Sequence, residues 1–216
     1  MKLVLFDLDD TLLSGDTEAE WANFMIDKGI VKDDSFLEKM SGFTSNYRRG
    51  RLDIDEYTNF LLNPLAGIQV VDFQNTIKEF SKEVVSKLSD KTTENILNRH
   101  FSDECIITSG TLSFLVKEIS SELGIDHCFG TDAEIIDGSY TGKVFGRPNF
   151  SDEKVRRIRN WIGSKSFKEI YAYSDSIHDL PLLKYSDFPT AVNPDIQLMK
   201  IAIQEKWEID RTRIND

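Results

Sequence analysis

The stretch FDLDDTLL, residues 6–13, places three aspartates and a threonine directly after the apolar run LVLF, residues 3–6. A short continuous apolar run that ends in polar residues is typical of a buried strand in a parallel sheet covered on both faces. We therefore predict a strand over residues 2–6, followed at once by a loop. A chain that needed only a hydrophobic core would not concentrate so much negative charge at one strand end, so the aspartates indicate a functional site.

The chain beyond this stretch changes its pattern twice. From residue 16 to about residue 88 the apolar residues recur at helical spacing, which predicts about four helices. After residue 105, apolar runs alternate with helical patterns, and this alternation indicates βαβ units in a doubly wound parallel sheet. The predicted fold class is α/β, with a Rossmann-like core of residues 1–14 and 90–216 and an inserted α-helical cap of residues 15–89.

The 216-residue chain carries 37 acidic and 26 basic residues, which gives a formal net charge of -11. This charge repels phosphate backbones and anionic lipids, so we expect neither nucleic acid nor a membrane as a partner. The first apolar run is too short for a signal peptide, and no stretch approaches the ~20 apolar residues of a membrane span. Cys105 and Cys128 lack the spacing of a zinc site or a CxxC pair, which fits a cytoplasmic location.

Polar side chains follow most of the predicted strands, at the edge of the sheet where ligands bind in open α/β folds. They are Asp7 and Asp9 after the first strand, Ser109, Gly110 and Thr111 after the second, Asp175 and Asp179 after the fourth, and Lys154 near the start of an intervening helix. Several carboxylates in one cleft repel one another strongly, and a divalent cation compensates for that repulsion. Carboxylate oxygens suit Mg2+, which leaves positions for water and phosphate oxygen, so we predict a Mg2+ cofactor and phosphate chemistry.

Four segments together resemble the ordered motifs of the haloacid dehalogenase (HAD) superfamily of phosphohydrolases. They are Asp7-Leu8-Asp9-Asp10-Thr11, Ser109, Lys154 and Asp175-Ser176-Ile177-His178-Asp179. The stretches GDTEAEW (15–21), GSYTGKVFG (138–146), YSDSIHDLPLL (173–183) and AVNPD (191–195) resemble subfamily IB, which includes phosphoserine phosphatase-like and histidinol-phosphatase-like proteins. The resemblance implies a Mg2+-dependent phosphomonoester hydrolase that acts on a small phosphorylated metabolite.

The same resemblance implies a role for each motif residue. Asp7 is expected to attack phosphorus and form an aspartyl-phosphate, and Asp9 to act as general acid and base. Ser109 and Lys154 are expected to hold the phosphoryl oxygens. Thr11, Gly110 and Asp16 are expected to contact the substrate or its phosphate. The expected metal contacts come from Asp7, Asp175, Asp179 and the backbone carbonyl of Asp9. Asp179 could instead orient Lys154.

Several of these residues also have purely structural interpretations. Asp16 either contacts a cationic or hydroxylated leaving group or simply caps the following helix. Thr108 replaces Ser109 if the second strand is one residue shorter, and Lys154 considered alone is a solvated lysine near a helix start. The position of His178 between two aspartates predicts that it points away from their shared face, which argues against a general-base role.

The predicted cap bears on the substrate and on the reaction. Where similar phosphoserine phosphatases carry an arginine for the substrate carboxylate, residues 59–61 of this chain read NFL, so phosphoserine is disfavoured. Arg48, Arg49 and Arg51 lie close enough in sequence to replace that arginine, although such a cluster is more often a solvated basic turn. Two other activities stay open. One is phosphoryl transfer to a second alcohol, as in mutases of the superfamily, and the other is a phosphorylated receiver domain, against which the long insertion argues.

Overall fold

The structure, a computed structural model, describes residues 1–33 and 35–214, and the side chains of all of these except Arg48 and Ile214. Within these residues the strands are β1 (Lys2–Phe6), β2 (Glu104–Leu112), β3 (His127–Thr131), β4 (Ala133–Ile136), β5 (Ser139–Val144), β6 (Glu169–Ser174), β7 (Phe188–Val192) and β8 (Glu208–Asp210). The α-helices of the same residues are α1 (Thr17–Asp27), α2 (Phe36–Arg48), α3 (Ile54–Leu62), α4 (Val70–Leu88), α5 (Lys91–Arg99), α6 (Ser113–Glu122), α7 (Asp152–Ile162), α8 (Leu180–Tyr185) and α9 (Ile196–Glu205).

Most of these elements match the sequence prediction. The strand over residues 2–6, the four helices between residues 16 and 88, and the hairpin around Gly138 are confirmed. Helix α5 and strand β8 are not predicted by the sequence pattern. Helix α5 is mostly polar and begins with a capping box in which Asp90 pairs with Thr93 instead of the usual Glu or Gln, and β8 has only three residues. Strand β8 is too short to show a period, and α5, although as long as α3, has only two strongly apolar residues, Ile96 and Leu97.

Six strands form one parallel sheet in the order β3-β2-β1-β6-β7-β8. The chain builds outward from β1 on one side and then returns to its other side with β6, so strand order reverses between these two neighbours. Phe6, at the end of β1, pairs with Ile107 of β2 and with Tyr173 of β6, so the segments that follow these residues lie side by side. Ligands bind at the carboxyl ends of the strands at such a reversal. The predicted α/β fold with a parallel sheet and flanking helices is confirmed.

The side chains of β1 alternate between two apolar clusters, one on each face of the sheet. Val4 and Phe6 belong to the first cluster, and Leu3 and Leu5 belong to the second, which includes residues of α7, α8 and α9. All four side chains are fully buried. Because both faces of the central strand are covered, the run 3–6 is apolar throughout and does not alternate with polar residues.

The helices α1–α4, which we call the helical insert, lie in the chain between β1 and β2 and pack on the first cluster. Trp21 of α1 is fully buried, and its ring centroid lies 4.9 Å from that of Phe80 in α4 and 6.2 Å from that of Phe114 in α6. The division into a core and a cap at residues 15–89 stays a prediction, because the helical insert and the sheet share this apolar cluster. None of the helices described has both the length and the apolar character needed to cross a bilayer.

Gly130 of β3 is expected to be the glycine most sensitive to substitution. A Cβ atom at this position would lie 2.6 Å from the Thr111 carbonyl oxygen and 2.6 Å from the Ser113 Cα, and neither backbone atom can swing aside. We expect Gly130→Ala to lower the free energy of unfolding in urea by about 1–3 kcal/mol, as overpacking typically does. Gly110→Ala is the matched control, because its Cβ would meet the Phe150 side chain at an ordinary 3.8 Å. Equal urea midpoints for the two variants would contradict this steric argument.

Candidate active site

The loop after β1 makes a tight, irregular turn, Leu8–Leu12. Asp9 keeps an extended backbone, whereas Asp10 adopts a left-handed one with φ 52°. Leu8 and Leu12 are both fully buried. These two apolar side chains anchor the turn in the core, so the aspartates that precede and separate them are held at the end of the strand.

Asp7 is the first residue after β1 and is almost fully buried. Its Oδ1 accepts a hydrogen bond from Lys154 Nζ at 2.8 Å, and its Oδ2 accepts one from the Thr11 hydroxyl at 3.1 Å. The Thr11 hydroxyl also lies 3.1 Å from Asp175 Oδ1 and accepts a hydrogen bond from the Asp175 N–H at 2.9 Å. A hydroxyl has one proton, so Thr11 donates to one carboxylate at a time. Thr11 is fully buried and joins the loop after β1 to the loop after β6.

Lys154, in the first turn of α7, is the ammonium group that faces these carboxylates. Its side chain is 4% exposed, and Nζ lies 2.8 Å from Asp7 Oδ1 and 2.6 Å from Asp179 Oδ2. Asp179 also accepts a hydrogen bond from the Ser174 hydroxyl at 3.0 Å. Burial lowers the pKa of Lys154, but the carboxylates of Asp179 and Asp7 outweigh this effect and raise the pKa. Lys154 is therefore a buried ion-pair partner and not a solvated lysine.

The carboxylates of this pocket outnumber its lysine. Burial raises the pKa of Asp175 well above its usual range, and the charges of Asp7, Asp10 and Asp179 raise it further. Burial also raises the pKa of Asp179, to about 6, although Lys154 opposes that rise. The described residues contain no group of three or more acidic, histidine or cysteine side chains that is already arranged to bind a metal ion. Mg2+ needs no such cage, because it takes one or two carboxylates together with water and phosphate oxygens, so this donor set fits the ion.

Asp9 directs its side chain toward the last part of β2. The prediction that Ser109, Gly110 and Thr111 follow this strand is wrong, because β2 continues to Leu112 with a register shift against β3 after Thr108. Its Oδ1 accepts a hydrogen bond from the Thr17 N–H at 2.6 Å, and its Oδ2 accepts from the hydroxyls of Thr111 at 2.7 Å and Ser109 at 3.3 Å. Burial raises the pKa of Asp9 to about 6, and two neighbouring aspartates contribute to the rise. Because both oxygens of the side chain face these donors, a metal contact from Asp9 would come from its backbone carbonyl.

Asn149, which the sequence analysis did not single out, positions the end of β2. Its Nδ2 donates to the Ser109 carbonyl at 2.9 Å and to the Thr108 hydroxyl at 3.1 Å, and its own backbone N–H donates to the Thr131 hydroxyl at 3.0 Å. The Thr131 hydroxyl in turn donates to the Gly110 carbonyl at 2.6 Å. Thr108 is thus occupied by Asn149, whereas the Ser109 hydroxyl reaches Asp9, which favours Ser109 as the site hydroxyl. Asn149 sits in the loop segment RPNF, whose composition indicates only a turn.

The helical insert reaches the site through the end of α2. The Tyr47 hydroxyl lies 2.7 Å from Ser176 Oγ, and its ring centroid lies 4.8 Å from that of His178. The Phe150 ring also packs against His178, with its centroid 4.9 Å from that of His178 and 6.4 Å from that of Tyr47. Burial raises the pKa of Tyr47, and the nearby Asp175 adds to the rise. His178 therefore contacts aromatic side chains of the helical insert and of the segment before α7, and its lack of a general-base role stays a prediction.

A second acidic group lies where α1 begins. One Asp16 oxygen accepts a hydrogen bond from the Glu18 N–H at 2.9 Å, so Asp16 is the N-cap of α1. Glu18, which no sequence motif indicates, is 6% exposed and accepts a hydrogen bond from the Leu112 N–H at 3.3 Å. Burial raises the pKa of Glu18 well above its usual range, with Asp16 and Asp9 adding to the rise. Three acidic side chains, those of Asp9, Asp16 and Glu18, therefore lie near one another at this end of the site.

Asn59 lies in the region where similar phosphoserine phosphatases carry an arginine for the substrate carboxylate, and its side chain makes contacts within the protein. The Asn59 side chain donates to the Asp55 carbonyl at 2.8 Å and accepts from the Val144 N–H at 3.1 Å, which ties α3 to β5. Arg49 and Arg51 are exposed. The side chain of Arg48 lies outside the described residues.

The comparison with known families agrees with this arrangement. A model of haloacid dehalogenase-like hydrolases matches residues 4–184. The chain belongs to this family. A histidinol-phosphatase from Neisseria meningitidis is 33% identical over 215 residues, which cover 96% of this chain and 97% of that protein. The predicted enzyme class, a phosphatase of the HAD type, is thereby confirmed.

Solved structures support the same fold. A protein of unknown function from Bordetella pertussis superposes with a TM-score of 0.87 at 32% identity, covering 97% of both chains. A substrate-bound phosphoserine phosphatase superposes with a TM-score of 0.67 at 18% identity, covering 98% of this chain and 93% of that one. At such low identity the second likeness concerns the fold alone.

Proposed function

We propose that this protein is a Mg2+-dependent phosphatase that releases phosphate from small phosphate monoesters through an aspartyl-phosphate on Asp7. One observation carries the proposal: Asp7 lies at the carboxyl end of β1 with one oxygen 2.8 Å from the Lys154 ammonium and the other 3.1 Å from the Thr11 hydroxyl. These contacts fix a carboxylate beside a cation at the strand-order reversal, where ligands bind in this type of sheet.

The reaction has two steps, and Asp9 moves a proton in each. In the first step an Asp7 oxygen forms a bond to phosphorus as the ester P–O bond breaks, and Asp9 gives its proton to the departing alkoxide. In the second step Asp9 takes a proton from water, which displaces Asp7 from phosphorus and releases inorganic phosphate. Ser109 and Lys154 stabilise the phosphoryl oxygens in both steps.

Asp7, Asp175 and the backbone carbonyl of Asp9 are the groups that would hold Mg2+, while Asp179 orients Lys154. When bound, the ion supplies positive charge next to the phosphoryl oxygens. The excess of carboxylates over ammonium groups in the pocket supports this assignment. We further propose that residues 15–89 form a cap over the site, supported by the contact of 2.7 Å between Tyr47 and Ser176.

The substrate that fits best is a phosphate ester of a cationic amino alcohol. The charges of Asp16 and Asp9 raise the pKa of Glu18 beyond the effect of burial, so the three carboxyl groups lie close enough for a cationic leaving group to relieve their repulsion. Asn59 is engaged with β5 where an arginine for a substrate carboxylate was expected, which disfavours phosphoserine. Histidinol phosphate combines these properties, and it is the substrate named for the Neisseria relative, so it is the first ester to test.

The direct test is phosphate release from a panel of esters that includes histidinol phosphate, phosphoserine and glycerol phosphate, with Mg2+ and with EDTA. We expect Mg2+-dependent turnover that is fastest with histidinol phosphate and is lost in EDTA. Phosphate should appear as the free ion even when a second alcohol is added. Recovery of the phosphoryl group on that alcohol would identify a transferase, and an aspartyl-phosphate that persists without steady release would identify a receiver-type domain.

Asp16→Asn separates substrate recognition from helix capping. Asparagine caps a helix about as well as aspartate, so the fold should be kept. If Asp16 binds a cationic group, we expect kcat/KM for histidinol phosphate to fall about tenfold, the effect of losing about 1.4 kcal/mol of binding. The value for glycerol phosphate should stay unchanged.

The matched control is Asp53→Asn, which alters the N-cap of α3 in the same way. Asp53→Asn should leave the values for both esters unchanged. Equal losses on the cationic and the uncharged ester in Asp16→Asn would remove the recognition role and leave Asp16 as a cap only.

A further inference from the structure

The segment after β8 returns to the loop that carries the proposed nucleophile. Arg213 lies in a short turn, Thr212–Ile214, and its side chain is only 13% exposed. Its guanidinium donates to the backbone carbonyls of Asp10 at 3.1 Å, Thr11 at 2.8 Å and Leu12 at 3.2 Å. One side chain from the end of the described chain thus binds three successive carbonyls of the loop after β1.

These carbonyls need such a donor because the loop backbone is irregular. Asp9 and Asp10 have non-helical backbone angles, so the turn Leu8–Leu12 does not pair its carbonyls as a regular helix does. The Leu12 carbonyl has a second donor in the Thr93 hydroxyl at 2.6 Å. A planar guanidinium offers five N–H groups in a fixed fork, and a lysine ammonium cannot reproduce that geometry.

The contact with Thr11 leads directly to the proposed nucleophile. Arg213 holds the Thr11 carbonyl, while the Thr11 hydroxyl lies 3.1 Å from both Asp7 Oδ2 and Asp175 Oδ1. A shift of the Thr11 backbone would therefore move the hydroxyl that positions both carboxylates. Small displacements of reacting groups have large effects on rate, up to about 100-fold for about 1 Å.

The chain enters the helical insert between β1 and α1 and leaves it after α4. Arg213 also binds the second of these two connections. Its Nε and Nη2 lie 2.6 Å and 3.1 Å from the two carboxylate oxygens of Asp90, which follows α4 closely and caps α5. The two connections are themselves joined, because the Ser14 N–H between β1 and α1 donates a hydrogen bond of 2.8 Å to the carbonyl of Leu88 at the end of α4. The same guanidinium thus connects the nucleophile loop to the base of the helical insert.

We propose that Arg213 is a positioning residue that holds the Asp7 loop and the base of the helical insert in the geometry required for phosphoryl transfer. This inference rests on the proposed function, because it assigns Arg213 an effect through Asp7. It predicts a defect in turnover, not in substrate binding, since Arg213 acts on the loop backbone and Thr11.

The test compares Arg213→Ala and Arg213→Lys with Arg211→Ala, a neighbouring arginine whose guanidinium contacts the Met199 sulfur. For Arg213→Ala we expect kcat to fall about 10- to 100-fold with KM within about threefold of wild type. Arg213→Lys should also be slow, because an ammonium lacks the fork. Millimolar guanidinium ion should restore part of the kcat of Arg213→Ala, and Arg211→Ala should match wild type.

A second measurement does not depend on turnover. Hydrogen–deuterium exchange without substrate or Mg2+ should be faster in Arg213→Ala over residues 6–14, and unchanged in β3 and α6. Wild-type kcat in Arg213→Ala would overturn the inference, and so would a loss of kcat that guanidinium does not rescue and that accompanies global unfolding. An inactive wild-type protein would instead refute the proposed function, so the two failures are distinguishable.

Discussion

Asparagine in place of Asp7 is expected to abolish phosphate release while the protein remains folded. Asparagine has nearly the same shape, but its amide is not a nucleophile toward phosphorus, so no aspartyl-phosphate can form. We expect kcat to fall by at least about 1,000-fold, as is usual when a covalent nucleophile is removed. Phosphate release with saturating ester and Mg2+ measures the effect. Rapid acid quench and mass spectrometry of the peptide containing residue 7 should show a phosphoryl group in wild type only.

The stability of Asp7→Asn should not fall with its activity. Asp7 contributes to the repulsion that raises the pKa of Asp175, so its neutralisation relieves a buried like-charge contact. Lys154 keeps a carboxylate partner in Asp179, at 2.6 Å. The unfolding midpoint in urea should therefore equal or exceed that of wild type.

Asp126→Asn is the matched control, since Asp126 is an exposed aspartate between α6 and β3. It should keep full activity and stability. Appreciable Mg2+-dependent turnover by Asp7→Asn would show that another group attacks phosphorus, and a folded but inactive Asp126→Asn would show that the assay reports something other than this site.

The parts of the site that sequence can predict are those that strand geometry fixes. Asp7 and Asp175 lie just beyond the ends of parallel strands, and Ser109 lies where the pairing of β2 with β3 becomes irregular, while the carboxyl ends of such strands share one edge of the sheet. Asp179 could be placed because it lies one helical turn after Asp175, whereas Lys154 considered alone predicts a solvated lysine and could be placed only through the resemblance to the ordered motifs of the family. The structure brings Asp7, Lys154 and Asp179 together at 2.8 Å and 2.6 Å as that reasoning requires.

The other contacts of the site join segments that are far apart in sequence, and no local sequence pattern predicts that these segments meet. Arg213 and the Asp10 carbonyl that it binds are 203 residues apart, and Asn149 is 40 residues from the Ser109 carbonyl. A lone arginine near a chain end and a lone asparagine in a loop each read as ordinary surface residues. Glu18 was hidden for another reason: a charged residue in the first turn of a helix is explained by the helix dipole, and only burial reveals that it faces inward.

Methionine in place of Lys154 is expected to reduce both activity and stability. The substitution keeps most of the volume of the side chain but removes the charge that faces Asp7 and Asp179, both of which are buried. Breaking a buried ion pair from one side typically lowers the free energy of unfolding by about 3–5 kcal/mol. The kcat should fall at least about 100-fold, because a charge that stabilises the phosphoryl oxygens is lost. Urea unfolding and steady-state phosphate release measure the two effects, and Lys117→Met, an exposed lysine of α6, is the control.

A double variant separates the structural from the catalytic role of Lys154. In Lys154→Met/Asp179→Asn one of the two carboxylates that lose their cation is neutralised, and Asp7 alone stays unpaired, so part of the lost stability should return. Activity should stay low, because the ammonium group that faces Asp7 is still missing. If the double variant regains activity along with stability, Lys154 serves only as the counter-ion of Asp179, and the phosphoryl oxygens must be stabilised by other groups. If Lys154→Met is as stable as wild type, the ammonium is not what makes three neighbouring aspartates tolerable in this pocket.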